Sequence, residues 1–112
     1  MDIALIRARD GDRCARCGSP RDLHVHHRIA RSQGGRDYCE NLITLCPKDH
    51  AWAHAHPHEA RAEGLLLKGT DNPGSVPVKH FNWPHAPVLL GHDLDFLLWD
   101  EEAGDIPRIP AA

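Results

Sequence analysis

The sequence predicts a small α+β fold in which a β-hairpin packs against a helix and bound metal holds the parts together. Three observations support this. The chain has 112 residues, which suffices for one domain with a modest core. It contains 10 His and 4 Cys, the side chains that bind zinc and related metals. Most of them lie between residues 14 and 54, where short apolar segments alternate with turns.

The N-terminal segment predicts a helix, a tight turn and a strand. Residues 2–9 are expected to form a helix that Asp2 caps and Gly11 ends. Residues 14–17 carry two cysteines three positions apart and predict a tight knuckle. Residues 23–27 alternate around a β-branched valine, which indicates a short strand.

The next segment predicts a return strand and a helix. Residues 28–41 include Ser, Gln and two glycines and predict a long loop of the kind that is functional or disordered. Residues 42–46 predict the second strand. Pro47 favours the start of a helix to about residue 55 or 56, because that position needs no N–H donor. A further helical turn is expected from Pro57 to Gly64.

The second half of the chain is less informative. An apolar triplet and a Gly/Asp/Asn/Pro loop occupy residues 65–79. Residues 88–90 and 94–99 predict a small hairpin, with a helix over 93–103 as the competing interpretation. Residues 104–112 are rich in proline and are expected to fray.

Charge is distributed unevenly along a chain whose net charge is −3. Residues 1–54 hold 9 Lys and Arg against 7 Asp and Glu, whereas residues 55–112 hold 4 against 9. We interpret the acidic excess as a solubilising surface, and a tail that shields a basic cleft is the alternative. The residues concerned are Asp93, Asp95, Asp100, Glu101, Glu102 and Asp105. No apolar run approaches the ~20 residues of a membrane span, and a signal-peptide pattern is missing, so we expect a cytoplasmic protein with no membrane partner.

The cysteines predict a structural zinc site. Cys14 and Cys17 can bind one ion from a single turn. Cys46 and Asp49, at the start of the predicted helix, have the spacing to complete it, and Cys39 is the rival fourth ligand. A redox pair is a weaker alternative because no βαβ pattern surrounds the cysteines. A disulfide is weaker still, since nothing indicates an oxidising compartment.

Four histidines predict a second site with divided tasks. His26 and His27 are neighbours on a strand, so their side chains point to opposite faces. His50 and His54 stack on one face of a helix. A hairpin lying against that helix would place a metal in the crevice between them, while the second strand histidine faces a substrate.

Four segments of the sequence resemble a known family. Leu-His-Val-His-His at 23–27, Ser-Gln-Gly-Gly at 32–35, Glu-Asn-Leu-Ile-Thr-Leu-Cys at 40–46 and the His50/His54 pair look like an HNH endonuclease, the ββα-metal nuclease fold. The segment around Cys14 and Cys17 resembles the zinc-knuckle subset of small phage and bacterial HNH proteins. The resemblance covers about residues 5–55. It departs at Asp49, where that subset usually has another Cys.

The resemblance implies a role for each matching residue. His26, His50 and His54 would bind a catalytic ion, His27 would be the general base, and Asn41 would brace the loop that orients the base. The implied activity is one-metal hydrolysis of double-stranded DNA. It implies one catalytic divalent ion (Mg, Mn, Ni or Zn) beside the structural zinc. A phage DNA-packaging protein is an expected partner on this resemblance alone. Residues 1–63 would be the nuclease domain and 64–112 an acidic extension of unassigned role.

Arginines near the predicted cleft are candidate phosphate contacts. Arg28, Arg31 and Arg36 flank the strand and loop, and Arg9, Arg13 and Arg16 flank the knuckle. Such contacts give affinity without base recognition, so we expect weak sequence specificity. The alternative function, from a different class, is a non-catalytic zinc-stabilised module that binds nucleic acid or protein.

Overall fold

The structure is a computed structural model that describes residues 2–98 and the backbone of residues 108–109. The acidic residues Asp100, Glu101, Glu102 and Asp105 lie outside the described residues, as does most of the proline-rich segment 104–112 that was expected to fray.

The first unit is a two-stranded sheet that a helix precedes in the chain. Helix α1 spans Ile3–Arg9, and the Asp2 side chain accepts a hydrogen bond from the Ala4 amide at its start. Strand β1 (His24–His27) pairs with strand β2 (Leu42–Leu45) in antiparallel register, with His26 opposite Ile43. The predicted helix and both predicted strands are therefore present.

Two helices follow the hairpin directly. Helix α2 spans Pro47–Ala55 and has Cys46 as its N-cap, whose sulfur accepts from the Asp49 amide. Helix α3 spans Pro57–Ala62. Because proline lacks an N–H, it sits readily in a first helical turn and ends the helix before it. Within residues 2–98, no helix combines the length and apolarity that crossing a membrane requires.

A second sheet lies in the described chain after α3. Its strand order is β3 (Val78–His80), β4 (Trp83–Leu90), β5 (Phe96–Leu98) and β6 (Arg108–Ile109), all antiparallel neighbours. Strands β4 and β5 form the predicted hairpin, with Val88 opposite Leu98. The competing helix over 93–103 is therefore wrong for the described residues up to Leu98, and its remaining residues lie outside the described part of the chain. Strand β3 and the first half of β4 were not predicted.

Both sheets contribute to one apolar core. Ile43 and Leu45 of β2 pack in the same buried cluster as Val88 and Phe96 of the second sheet. Asp10, at the end of α1, links the two sheets by polar contacts, since its Oδ1 lies 2.9 Å from the buried His80 Nε2 of β3 and its Oδ2 accepts from the Thr44 amide of β2. A division of the chain after residue 63 stays a prediction, but residues 64–98 supply part of the core on which the hairpin rests.

Candidate metal centres

Three histidines converge between the hairpin and α2. His26 on β1 and His50 and His54 on α2 each present a ring nitrogen, and these nitrogens lie within 4.8 Å of one another. The ring centroids are 5.1 Å apart for His26–His50 and 4.9 Å apart for His50–His54. His26 is buried, His50 is half-buried and His54 is exposed, so the cluster opens to solvent on one side. Three imidazoles with an open side could hold one divalent ion with room for water and substrate.

The protonation of His26 suits a metal ligand. Its Nε2 lies 2.8 Å from the carbonyl oxygen of Leu65, which can only accept, so Nε2 carries the proton and Nδ1 keeps the lone pair that a cation needs. Burial lowers the pKa of His26 to about 4, although the Leu65 bond opposes this shift. Burial also lowers the pKa of His50, and the neighbouring His54 adds to the effect. Both rings are therefore neutral, the metal-binding form, at neutral pH.

His27 lies outside this cluster, as alternation along a strand requires. Its side chain is half-buried, and its Nε2 lies 2.7 Å from Asp37 Oδ1 in the loop between the strands. The proposed base, His27, thus lies on the same strand as the candidate ligand His26, but its side chain faces away from the histidine cluster. Asp37 was not singled out from the sequence, because only the fold of the loop brings it to a ring ten positions away.

Asn41 braces the loop from inside. Its Oδ1 accepts from the Ile29 amide at 2.8 Å, and its Nδ2 donates to the carbonyls of Ile29 at 3.2 Å and Arg36 at 2.9 Å. Gly34 has the left-handed φ of +87° that glycine adopts without strain, and a Cβ on Gly35 would collide with the Ile29 carbonyl. The loop is therefore closed tightly at its base, next to the end of β1.

The second cluster joins the knuckle to the start of α2. Cys14, Cys17, Cys46 and Asp49 each offer a ligand atom, and these atoms lie within 4.8 Å of one another. Asp49 Oδ2 is 3.1 Å from Cys14 Sγ and 3.4 Å from Cys46 Sγ. Three sulfurs and one carboxylate make a four-donor set that fits a tetrahedral structural zinc. The four cysteines are all free of disulfides.

The fourth donor of this cluster is Asp49 and not Cys39. Cys39 is buried in a separate apolar cluster with Ile6 and Leu42. Burial alone would raise the pKa of Asp49, but hydrogen bonds from the surrounding cysteines and from Arg16 lower it to about 2. Arg16 Nη1 lies 2.8 Å from Asp49 Oδ1, so the carboxylate is ionised and held in place.

The structure corrects the predicted DNA contact of Arg28. Arg28 is fully buried, and its guanidinium donates to four backbone carbonyls at 2.8–2.9 Å, those of Glu40, Gly64, Pro73 and Val76. Burial lowers the pKa of Arg28 to about 9, which leaves it charged at neutral pH. A side chain bound in this way cannot reach a phosphate, so the expectation that Arg28 contacts DNA is wrong.

The other arginines divide between surface and interior. Arg31 and Arg36 are exposed near the loop, where the phosphate contacts were predicted, and Arg13 is exposed at the knuckle. Arg9 is buried and donates to Asp10, Cys39 and Leu42, so it too is removed from the candidate phosphate contacts. Arg16 is held by Asp49 and Glu63.

Comparison with known proteins agrees with this geometry. Residues 14–56 match the family model described as HNH endonuclease, a segment that contains every member of both clusters. The matched segment is similar to an HNH endonuclease domain, and its cysteine cluster fits the zinc-knuckle subset of that family. No curated protein and no solved structure matches the chain. The domain supports a nuclease-family function.

Proposed function

We propose that this protein is a metal-dependent endonuclease that hydrolyses phosphodiester bonds of double-stranded DNA. The convergence of His26, His50 and His54 carries the proposal, because a purely structural zinc module has no use for a second, solvent-open histidine cluster. His27, facing the other side of the same strand, supplies the ring that such a site needs beside the ligands. We further propose one structural zinc in the cysteine cluster and one catalytic ion in the histidine cluster.

The chemistry divides among the residues as follows. A divalent ion held by the three histidines would neutralise charge on the phosphate and on the leaving oxygen. His27 accepts a proton from the attacking water, whose oxygen forms the new bond to phosphorus as the bond to the leaving oxygen breaks. An imidazole suits this task because it exchanges its proton near neutral pH. Asn41 holds the loop beside His27, which keeps the base in position.

DNA binding would depend on the backbone and not on base sequence. Arg31 and Arg36 are exposed on the loop that adjoins His27, and arginines bind phosphates without reading bases. Among the described residues, the longest helix is α2, and it carries two histidines of the candidate metal cluster. This helix is therefore assigned to metal binding and not to reading bases. We therefore propose nicking or cleavage with weak sequence specificity.

Conversion of supercoiled plasmid to open-circular and linear forms tests the activity. The protein is first freed of loosely held ions with EDTA and then given Mg²⁺, Mn²⁺, Ni²⁺ or Zn²⁺. We expect cleavage only after an ion is restored, and none with His50→Ala. His58→Ala is the matched control, because it removes an exposed histidine of α3 that belongs to neither cluster.

Failure to cut with all four ions, in a folded protein that retains its zinc, would contradict the nuclease proposal. It would favour the alternative of a zinc-stabilised binding module. Cleavage by His50→Ala at the rate of the native chain would contradict the ligand assignment while leaving a nuclease in place.

A further inference from the structure

A carboxylate contacts the ring that we propose as the general base. Asp37 Oδ1 lies 2.7 Å from His27 Nε2, and both oxygens of Asp37 lie 3.4 Å from Arg31 Nη2. Arg31 Nε is 3.2 Å from the same ring nitrogen. The three side chains form a small cluster at the surface, in which Asp37 is half-exposed and Arg31 is 72% exposed.

The distances decide where the proton of His27 lies. A carboxylate can only accept, so a 2.7 Å contact with a bare ring nitrogen would be repulsive. The hydrogen bond from His27 is the largest of the effects that lower the pKa of Asp37, and the charge of Arg31 adds to it, so the carboxylate is ionised. Nε2 therefore carries the proton and donates to Asp37. The Arg31 Nε–H, 3.2 Å from the same nitrogen, then finds no lone pair to bond there, and Arg31 serves as the counterion of Asp37.

We infer that Asp37 is a positioning residue for the proposed hydrolysis: it binds His27 Nε2–H and so leaves the lone pair on Nδ1 to take the proton of the attacking water. A carboxylate behind an imidazole fixes the tautomer and the ring direction and stabilises the charge that the ring acquires. This inference rests on the proposed function, since it assigns the atom with which His27 acts.

The loop is built to hold Asp37 in this place. Asn41 Nδ2 donates to the carbonyl of Arg36 at 2.9 Å, and that carbonyl begins the peptide bond that leads into Asp37. The contact between Asn41 and the base is thus indirect: the amide fixes the backbone, the backbone carries Asp37, and Asp37 orients His27. Arg31 is bound to Asp37 only through a solvent-exposed pair, which is weak, so Arg31 remains available to a phosphate.

Kinetics and spectroscopy of Asp37 variants test the inference. With Asp37→Ala we expect kcat for plasmid nicking to fall about 10- to 100-fold, the range of a lost charge-assisted hydrogen bond. KM should be unchanged or lower, because the variant lacks a negative charge that repels phosphate in the native chain. Asp37→Asn keeps an acceptor oxygen and should recover part of the loss. Glu59→Ala, which removes one exposed carboxylate of α3, is the matched control and should behave as the native chain.

Long-range ¹H–¹⁵N correlation spectra of the His27 ring give a readout that needs no activity. At pH 8 the native chain should show Nε2 protonated and Nδ1 bare, and Asp37→Ala should show a mixture of tautomers. A native His27 with the proton on Nδ1 would overturn the inference, and so would an Asp37→Ala chain with native kcat and native tautomer. A native chain that shows the expected tautomer and fails to cut DNA would contradict the proposed function while upholding the contact.

Discussion

Replacing Arg28 with Met removes a buried charge and leaves the carbonyls it binds without donors. The side chain has no exposed surface. It bonds Glu40 in the turn before β2, Gly64 after α3, and Pro73 and Val76 in the segment before β3. Arg28 thus ties the end of β1 to the part of the chain that builds the second sheet.

The size of the expected effect follows from these four bonds. Hydrogen bonds to a charged group contribute about 1.5–3 kcal/mol each, so four would give more than about 6 kcal/mol. Removing the guanidinium also removes the cost of burying it, which offsets part of that gain. We therefore expect the free energy of unfolding to fall by about 3–5 kcal/mol, a large part of the 5–15 kcal/mol typical of a small domain. The melting temperature should fall by at least about 12 °C.

Urea unfolding and thermal melting of the zinc-loaded protein measure this change, with Arg36→Ala as the control. Arg36 is exposed, so its loss should change stability by about 0.5 kcal/mol or less while weakening DNA binding. A stable Arg28→Met chain that had lost affinity for DNA would show that Arg28 contacts phosphate after all, and would refute the structural role.

Three further changes test other parts of the structure. Cys14→Ser should release about one zinc per chain and lower the melting temperature, because metal binding and folding are coupled; unchanged zinc content by elemental analysis would count against the cysteine site. Asn41→Ala should destabilise the chain by about 2–3 kcal/mol, since it leaves buried backbone groups of Ile29 and Arg36 unpaired; a native urea midpoint would contradict the bracing role. The metal-free protein should lose stability as the pH falls from 6.5 to 4, because the unfolded chain binds a proton at His26 in this range and the folded chain, with a pKa of about 4, does not. That loss should approach about 3 kcal/mol, and the free energy of unfolding of His26→Gln should change less with pH over the same range. Equal pH dependence in the two proteins would show that His26 is not the group concerned.

Local patterns in the sequence were sufficient to predict the first hairpin, the helices and the two candidate metal clusters. Alternation placed His26 and His27 on opposite faces, and the four-residue spacing placed His50 and His54 together. The three-residue spacing of Cys46 and Asp49 at the start of α2 predicted that both side chains lie beside Cys14 and Cys17. The catalytic roles of His27 and Asn41 stay predictions, because geometry alone does not show turnover.

What the sequence did not predict depends on contacts between distant residues. An arginine in a loop is usually solvated, and the carbonyls that bury Arg28 lie 12 to 48 positions away. Asp37 meets His27 only because the loop closes on itself. Strand β4 was missed at its start because Pro84 and Pro87 interrupt the strand pattern, and proline is tolerated only where its nitrogen faces no partner.

The most direct test of the account compares nicking with metal content in His27→Ala. If His27 is the base and not a ligand, the variant should hold as many ions per chain as the native protein. Its nicking rate should fall about 10²- to 10⁴-fold, the usual contribution of a general base. Native-rate cleavage by this variant, or loss of the ion together with activity, would contradict the separation between ligands and base on which the account is built.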